Sequence, residues 1–333
     1  MENGSRTIYW VKTSMTKAIW KTRLREEDEI ISGPFLRPRQ MLSAQEYGGH
    51  LSIHDDDQAA SLGFSGAPIE GPTHFSQFDP LLHKIWGNEW FECGCISTHF
   101  KNMVIEGEEV QALASKPSEG AKSTRIWALK KTGEIVLEGT ASIGPDHPET
   151  ELDRIMRSRP TPSNLVILEK VKIGDRSSTG IPVKIFMDQH LGNNYPFTLN
   201  EKLNKITEYC DWYRPETAIN SPWGKAIIPM EMVNPLVSFS ADFLPQAKQP
   251  SIGLFADLEI KMIKGPLFVG EEYLLQREIV GLGESRRTES MWLKTYIQSF
   301  KTNELVAATL LNSAVLKDSY ASYDKEAKEL GKI

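Results

Sequence analysis

Lys131-Thr132-Gly133-Glu134-Ile135-Val136 returns in the second half of the chain as Lys301-Thr302-Asn303-Glu304-Leu305-Val306. Strand-like residues precede each copy, Arg125-Ile126-Trp127-Ala128-Leu129 in one and Trp292-Leu293-Lys294-Thr295-Tyr296-Ile297 in the other. Gly or Asn at the third position suits a tight hairpin, where one residue must take a positive φ. Upstream, Gly107-Glu108-Glu109-Val110 returns as Gly270-Glu271-Glu272-Tyr273, each before another alternating run. Either match alone is cheap. Two in the same order, both separated by close to half the chain, predict an internal duplication.

A third correspondence is helical. Phe75, Phe78, Leu81, Leu82 and Ile85 share one helical face, as do Met232, Val233, Leu236, Val237 and Phe239. Each half therefore reads as one long apolar helix followed by strands joined by short turns. Such a helix needs a sheet to cover it, so the predicted class is α+β, with two antiparallel sheets each wrapped around a central helix.

The length, 333 residues, suits two domains. Gly144-Pro145-Asp146-His147-Pro148-Glu149 interrupts regular structure. The predicted division is residues 1–149, a linker at 150–164, residues 165–318 and a charged tail at 319–333. The irregular segment from Ser177 to Glu201 is read as an insertion or lid, with a turn at Gly192 to Pro196.

Hydrophobic residues make up 40% and charged residues 25%, an ordinary globular balance, and the net charge is −6. That charge argues against nucleic acid as a partner. No apolar run is long enough to span a membrane, and Met1 to Arg25 lacks the apolar core of a signal peptide. Cys93, Cys95 and Cys210 form no disulfide framework or metal-ligand set. The spacing of Cys93 and Cys95 predicts two buried thiols on one sheet face. The expectation is a cytoplasmic protein, a monomer or homodimer, without metal or cofactor, whose partner is a small-molecule substrate.

Ile53-His54-Asp55-Asp56-Asp57-Gln58-Ala59-Ala60-Ser61-Leu62-Gly63-Phe64, followed by Ala67-Pro68-Ile69-Glu70-Gly71, resembles the hydratase motif of MaoC-like proteins. In that family a His-x-Asp opens a short helix ending in Gly-Phe, and a Pro-Ile-x-His-Gly-like turn leads into the central helix of a hotdog fold. The resemblance implies a tandem (double) hotdog and an enzyme adding water to, or removing it from, an acyl thioester such as an enoyl-CoA or 3-hydroxyacyl-CoA. It implies that His54 is the acid/base group. Gly71-Pro72 sits where a helix begins, so the amides of Gly71 and Thr73 are candidate donors to a thioester oxyanion.

The family's aspartate would stand five residues before the histidine, where this chain has Gly49. His50, Glu46 and Glu70 are candidate replacements. Glu70 is favoured because it precedes the oxyanion donor and takes the place of the family's histidine. In the second half, aligning Ala226-Ile227-Ile228 with Pro68-Ile69-Glu70 puts Trp212 where His54 stands and Thr207 where the aspartate would be. The second copy then lacks the acid/base pair, and Tyr213, Arg214 and Trp223 become candidate pocket-lining residues. His74, on the first helical turn, faces either the pocket or the sheet.

Blander readings stand beside these. His54 can cap a helix whose first turn is acidic, with Asp55, Asp56 and Asp57 as solvated capping residues. His99 reads as a structural strand residue. Gly281-Leu282-Gly283 lacks the third glycine of a dinucleotide fingerprint. Arg286-Arg287 reads as a solvated turn. Three functions stay open: a hydratase or dehydratase; a hotdog enzyme of other carbonyl chemistry (isomerase, cyclase or thioesterase); or a non-catalytic protein that binds an acyl or other small ligand.

Overall fold

The computed structural model describes residues 19–41, 54, 59–60, 66–178, 180–192, 195–238 and 247–333. Gly49, His50 and Phe239 lie outside them. The strands are β1 (Arg25–Glu27), β2 (Ile30–Ser32), β3 (Gly94–Phe100), β4 (Val110–Ser115), β5 (Ser123–Lys130) and β6 (Ile135–Ile143) in the first half. The second half holds β7 (Arg176–Ser178), β8 (Gly253–Met262), β9 (Tyr273–Glu284), β10 (Thr288–Ser299) and β11 (Leu305–Leu316).

The expected two sheets are one. Among the described residues a single eleven-stranded sheet runs β1-β2-β4-β5-β6-β3-β8-β11-β10-β9-β7, and every pairing is antiparallel. The central order reads 4-5-6-3 and then 8-11-10-9, so the second copy mirrors the first across β3 and β8. Those two strands pair from Cys95↔Lys261 to His99↔Asp257. An edge strand with unpaired amides and carbonyls costs free energy when buried, and here each copy's edge satisfies the other's. Side chains close the same seam: Thr98 Oγ1 donates to Leu258 O at 3.2 Å, and His99 Nδ1 lies 2.6 Å from Asp257 Oδ1. Asn312 Nδ2 donates to Asp257 Oδ2 at 2.6 Å.

The repeated turns are as the duplicated sequence requires. Gly133 (φ 88°) and Asn303 (φ 58°) occupy equivalent hairpins, and Gly107 (φ 103°) and Gly270 (φ 82°) precede β4 and β9. The central helix is not continuous in either half. Gly71–Gln77 is a 3-10 helix followed by an α-helix at Asp79–Trp86. Met230–Met232 is a 3-10 turn followed by an α-helix at Val233–Ser238. Pro80 and Pro235 lack the amide that a continuous helix would need there.

Phe75, Phe78, Leu81 and Leu82 are completely buried, and Met232, Val233 and Leu236 are buried in the same core. Ile85 and Val237 are partly buried against it. Leu191, Tyr195, Phe197 and Leu199, from the segment read as an insertion or lid, also belong to this core. Thr150 forms a capping box with Asp153 at the start of a helix, Glu151–Ser158. Leu152 and Ile155 of that helix pack against Trp292 and Leu310. The C-terminal Tyr323–Glu329 helix buries Tyr323 and Ala327 near Leu165 to Leu168. Cys93 ends the Glu89–Cys93 helix while Cys95 is a buried residue of β3, so the two thiols do not share a sheet face as their spacing suggested. The helix stops at Gly94, whose would-be Cβ lies 2.1 Å from Trp90 O.

Candidate active site

Ala67 to Glu70 runs extended into the Gly71–Gln77 helix. Its position is set by backbone pairing with the turn before β4: Ile69 N donates to Val104 O at 2.8 Å, and Pro68 bridges Ile105. The second half repeats this, with Ile228 N donating to Leu267 O at 2.8 Å and Ile227 bridging Phe268. These bonds match Ile69 with Ile228, and so Glu70 with Pro229 and Gly71 with Met230. The register differs by one residue from that read in the sequence. Counting back equally from both, Tyr213 rather than Trp212 takes the place of His54.

The first-half turn opens into a cavity of about 190 Å³. His54, Pro68, Ile69, Glu70, Gly71 and His74 line it, with the chain from Phe100 to Val104 and Val136. The second half contributes Leu254, Phe255 and Ala256 of β8. Three residues singled out from sequence, His54, Glu70 and Gly71, thus meet at one cavity, and His74 joins them.

His54 is half-buried, with Nδ1 at 2.6 Å from Pro68 O. A carbonyl only accepts, so Nδ1 carries the hydrogen, and in the neutral imidazole the lone pair is on Nε2. A backbone carbonyl therefore orients this ring. It fixes the tautomer as a carboxylate would, but it brings no charge.

Glu70 accepts at Oε2 from the Tyr195 hydroxyl at 2.8 Å, and its own N–H donates to Gln40 Oε1. Asn234 Nδ2 donates in turn to the Tyr195 oxygen at 2.7 Å. Burial, together with the neighbouring Glu70 charge, pushes the Tyr195 phenol well above its ordinary pKa, so it remains a donor. Sequence reasoning missed Tyr195 and Asn234: the first lay in an irregular segment, and the second is a polar residue on an apolar helix.

Gly71 has no room for a side chain, since a Cβ would lie 2.3 Å from the Phe100 ring. No described residue accepts its N–H. Thr73 differs from expectation: its N–H donates to Glu70 O at 3.1 Å, closing the first 3-10 turn. It is buried outside the cavity lining, so only the Gly71 amide remains of the two expected oxyanion donors. His74 is 2% exposed, and among the described residues its buried Nδ1 has no hydrogen-bond partner. Burial holds its pKa down to about 4, so the ring facing the cavity is neutral near pH 7.

Tyr213, Arg214 and Trp223 do not come to this cavity. Tyr213 is fully buried and donates to Asp79 Oδ2 at 2.9 Å. Arg214 binds Asn200 Oδ1 at 2.6 Å and Asn204 Oδ1 at 2.8 Å. Trp223 Nε1 donates to Glu92 Oε1 at 3.0 Å. Among the described residues of the second copy, those that line the first copy's cavity are Leu254, Phe255 and Ala256 of β8. Where the first copy has Gly71, the second has the buried Met230. Among the described residues no group of three or more His, Cys, Asp or Glu is placed to hold a metal. Among them, too, no helix is long and apolar enough to cross a membrane.

Neither a protein-family model nor a curated protein sequence matches the chain. Its fold does have solved neighbours. A MaoC domain protein dehydratase from Chloroflexus aurantiacus superposes with a TM-score of 0.52 at 13% identity, covering 90% of this chain and 95% of its own. A Mycobacterium tuberculosis protein with a double hotdog fold superposes at 0.47 with 14% identity, over 85% and 93% of the two chains. The dehydratase domain of PpsC from the same organism, solved with C12:1-CoA, reaches 0.42 at 7% identity, over 86% and 94%. The chain shares its overall fold with the Chloroflexus aurantiacus protein.

Proposed function

We propose that the chain is a hydratase/dehydratase acting on an acyl thioester, with residues 1–149 carrying the reacting groups and residues 165–318 supporting them. The observation that carries this reading is the convergence of His54, Glu70 and Gly71 on one cavity whose remaining walls, including Ile69, Phe100, Val104, Val136 and Leu254, are largely apolar. A few converging polar groups in an apolar pocket are what a small acyl substrate needs for orientation.

The thioester carbonyl accepts from the Gly71 N–H, which polarises it and stabilises negative charge on oxygen. A water donates one hydrogen to His54 Nε2 and the other to Glu70. As the water oxygen bonds to Cβ of the enoyl group, His54 takes the first proton and the Cα=Cβ pair moves into the enolate. The imidazolium then returns that proton to Cα and the carbonyl re-forms. The sum is one water added and the enzyme unchanged. Dehydration is the reverse. Glu70 holds the water throughout, the part an aspartate plays in the family this motif resembles.

The test is turnover of a panel of 2-enoyl and 3-hydroxyacyl-CoA thioesters by wild type and His54→Ala, followed by enoyl absorbance and product mass. A gain or loss of 18 Da in wild type, reduced at least a hundredfold in His54→Ala with its melting temperature preserved, is expected for a general base. Equal turnover in the variant sinks the assignment. Release of free thiol, or conversion without mass change, replaces it with a thioesterase or isomerase.

A further inference from the structure

The second half lacks a histidine at the position equivalent to His54, yet it sends two buried side chains to the first half's site. Tyr195 is 5% exposed and Asn234 4% exposed, and they form a chain that ends on Glu70. The chain has a direction. Asn234 Nδ2 can only donate, so the Tyr195 oxygen accepts from it, and the phenol's one hydrogen goes to Glu70 Oε2. Oε2 is therefore committed as an acceptor, and Oε1, which no described residue engages, is the atom left to meet a ligand. Glu70 N–H is separately tied to Gln40, so both the backbone and the carboxylate plane are held.

We infer that Tyr195, oriented by Asn234, is a positioning residue that locks the Glu70 carboxylate with Oε1 presented to the cavity, so that the second half completes a site it no longer duplicates. This rests on the reading above in giving Glu70 a water to hold. The hydrogen-bond chain itself does not depend on the reaction. Asn234 sits in the Val233–Ser238 helix, the second half's counterpart of the helix that carries the first half's site.

Two measurements separate the inference from the reaction on which it leans. In the first, the full chain carries glutamate labelled with carbon-13 at Cδ, and the Glu70 resonance is identified by its loss in Glu70→Gln. Tyr195→Phe is expected to shift that resonance without ligand present. An unmoved resonance in a folded variant overturns the inference, whatever the protein catalyses. In the second, steady-state turnover is compared across wild type, Tyr195→Phe, Glu70→Gln and the double variant. Tyr195→Phe is expected to lower kcat tenfold or more with KM within twofold, and to add less than twofold once Glu70 is Gln. Multiplying effects would show that Tyr195 acts independently of Glu70, and would also overturn the inference. Should wild type turn over none of the thioesters, the hydratase reading falls while the carbon resonance still decides the role of Tyr195. If Tyr195→Phe fails to fold, Asn234→Ala, which keeps the phenol but frees its orientation, carries both measurements.

Discussion

Gly71 shows how one residue serves packing and chemistry together. The Phe100 ring stacks near Phe75, with centroids 6.3 Å apart, and occupies the space a Cβ at position 71 would need. Gly71→Ala is expected to destabilise the protein by about 1–3 kcal/mol through overpacking. The cost should shrink when Phe100→Leu is also present, and urea denaturation of the four variants measures it. An equal cost in both backgrounds would mean that the contact is not the cause. His54 illustrates the limit of residue-level reading. Its identity was legible in His54-Asp55-Asp56, but its orienting partner is the carbonyl of Pro68, a group every residue has and no motif marks. Glu70 was legible as a carboxylate at the turn, whereas its phenol donor was not.

At the scale of elements, the duplicated turns carry the fold. Asn303 N donates to Ser299 O at 2.8 Å in the β10–β11 hairpin, with φ at 58° where its counterpart Gly133 has 88°. Asn tolerates the left-handed region and a β-branched residue does not. Asn303→Val should cost about 1–2 kcal/mol by chemical denaturation, and Asn303→Gly should stay within about 1 kcal/mol of wild type. A valine variant as stable as wild type would contradict the strain argument. The central helices teach the opposite lesson. Periodicity marked Phe75, Phe78, Leu81 and Leu82 correctly as one buried face, and the prolines at 80 and 235 still split each helix in two. A 3-10 segment and an α-helix can bury the same residues, so burial pattern alone does not distinguish them.

At the scale of the whole molecule, the shared core buries carboxyl groups that water would otherwise ionise. Asp79 is fully buried between Trp90 Nε1 and the Tyr213 hydroxyl, both at 2.9 Å, and burial pushes its pKa up to about 7. Glu208 is likewise pushed up to about 7, chiefly by burial. A folded pKa raised above the unfolded one means that the folded state binds the proton more tightly. The associated stability is fully present below about pH 4 and is lost as pH rises through about 7. For Asp79 alone the span is of the order of 4 kcal/mol, taking about 1.4 kcal/mol for each pH unit. Asp79→Asn should therefore flatten the dependence of urea stability on pH between 4 and 8 relative to wild type. Parallel curves for the two proteins would rule out Asp79 as the titrating group.

The sequence by itself determined the duplication, the positive-φ turns, the α+β class and the identity of His54, Glu70 and Gly71 as neighbours. All of these are local: a hairpin's backbone sterics and the spacing of residues near one turn are set within a few positions of the chain. Only the tertiary structure decided that the two copies share one sheet through β3 and β8, and that Tyr213, Arg214 and Trp223 face elsewhere. It alone showed that Tyr195 and Asn234 reach Glu70 from the other half. Those outcomes depend on which buried edges and polar groups satisfy one another across more than a hundred residues, and such pairing leaves no periodicity in the sequence to read.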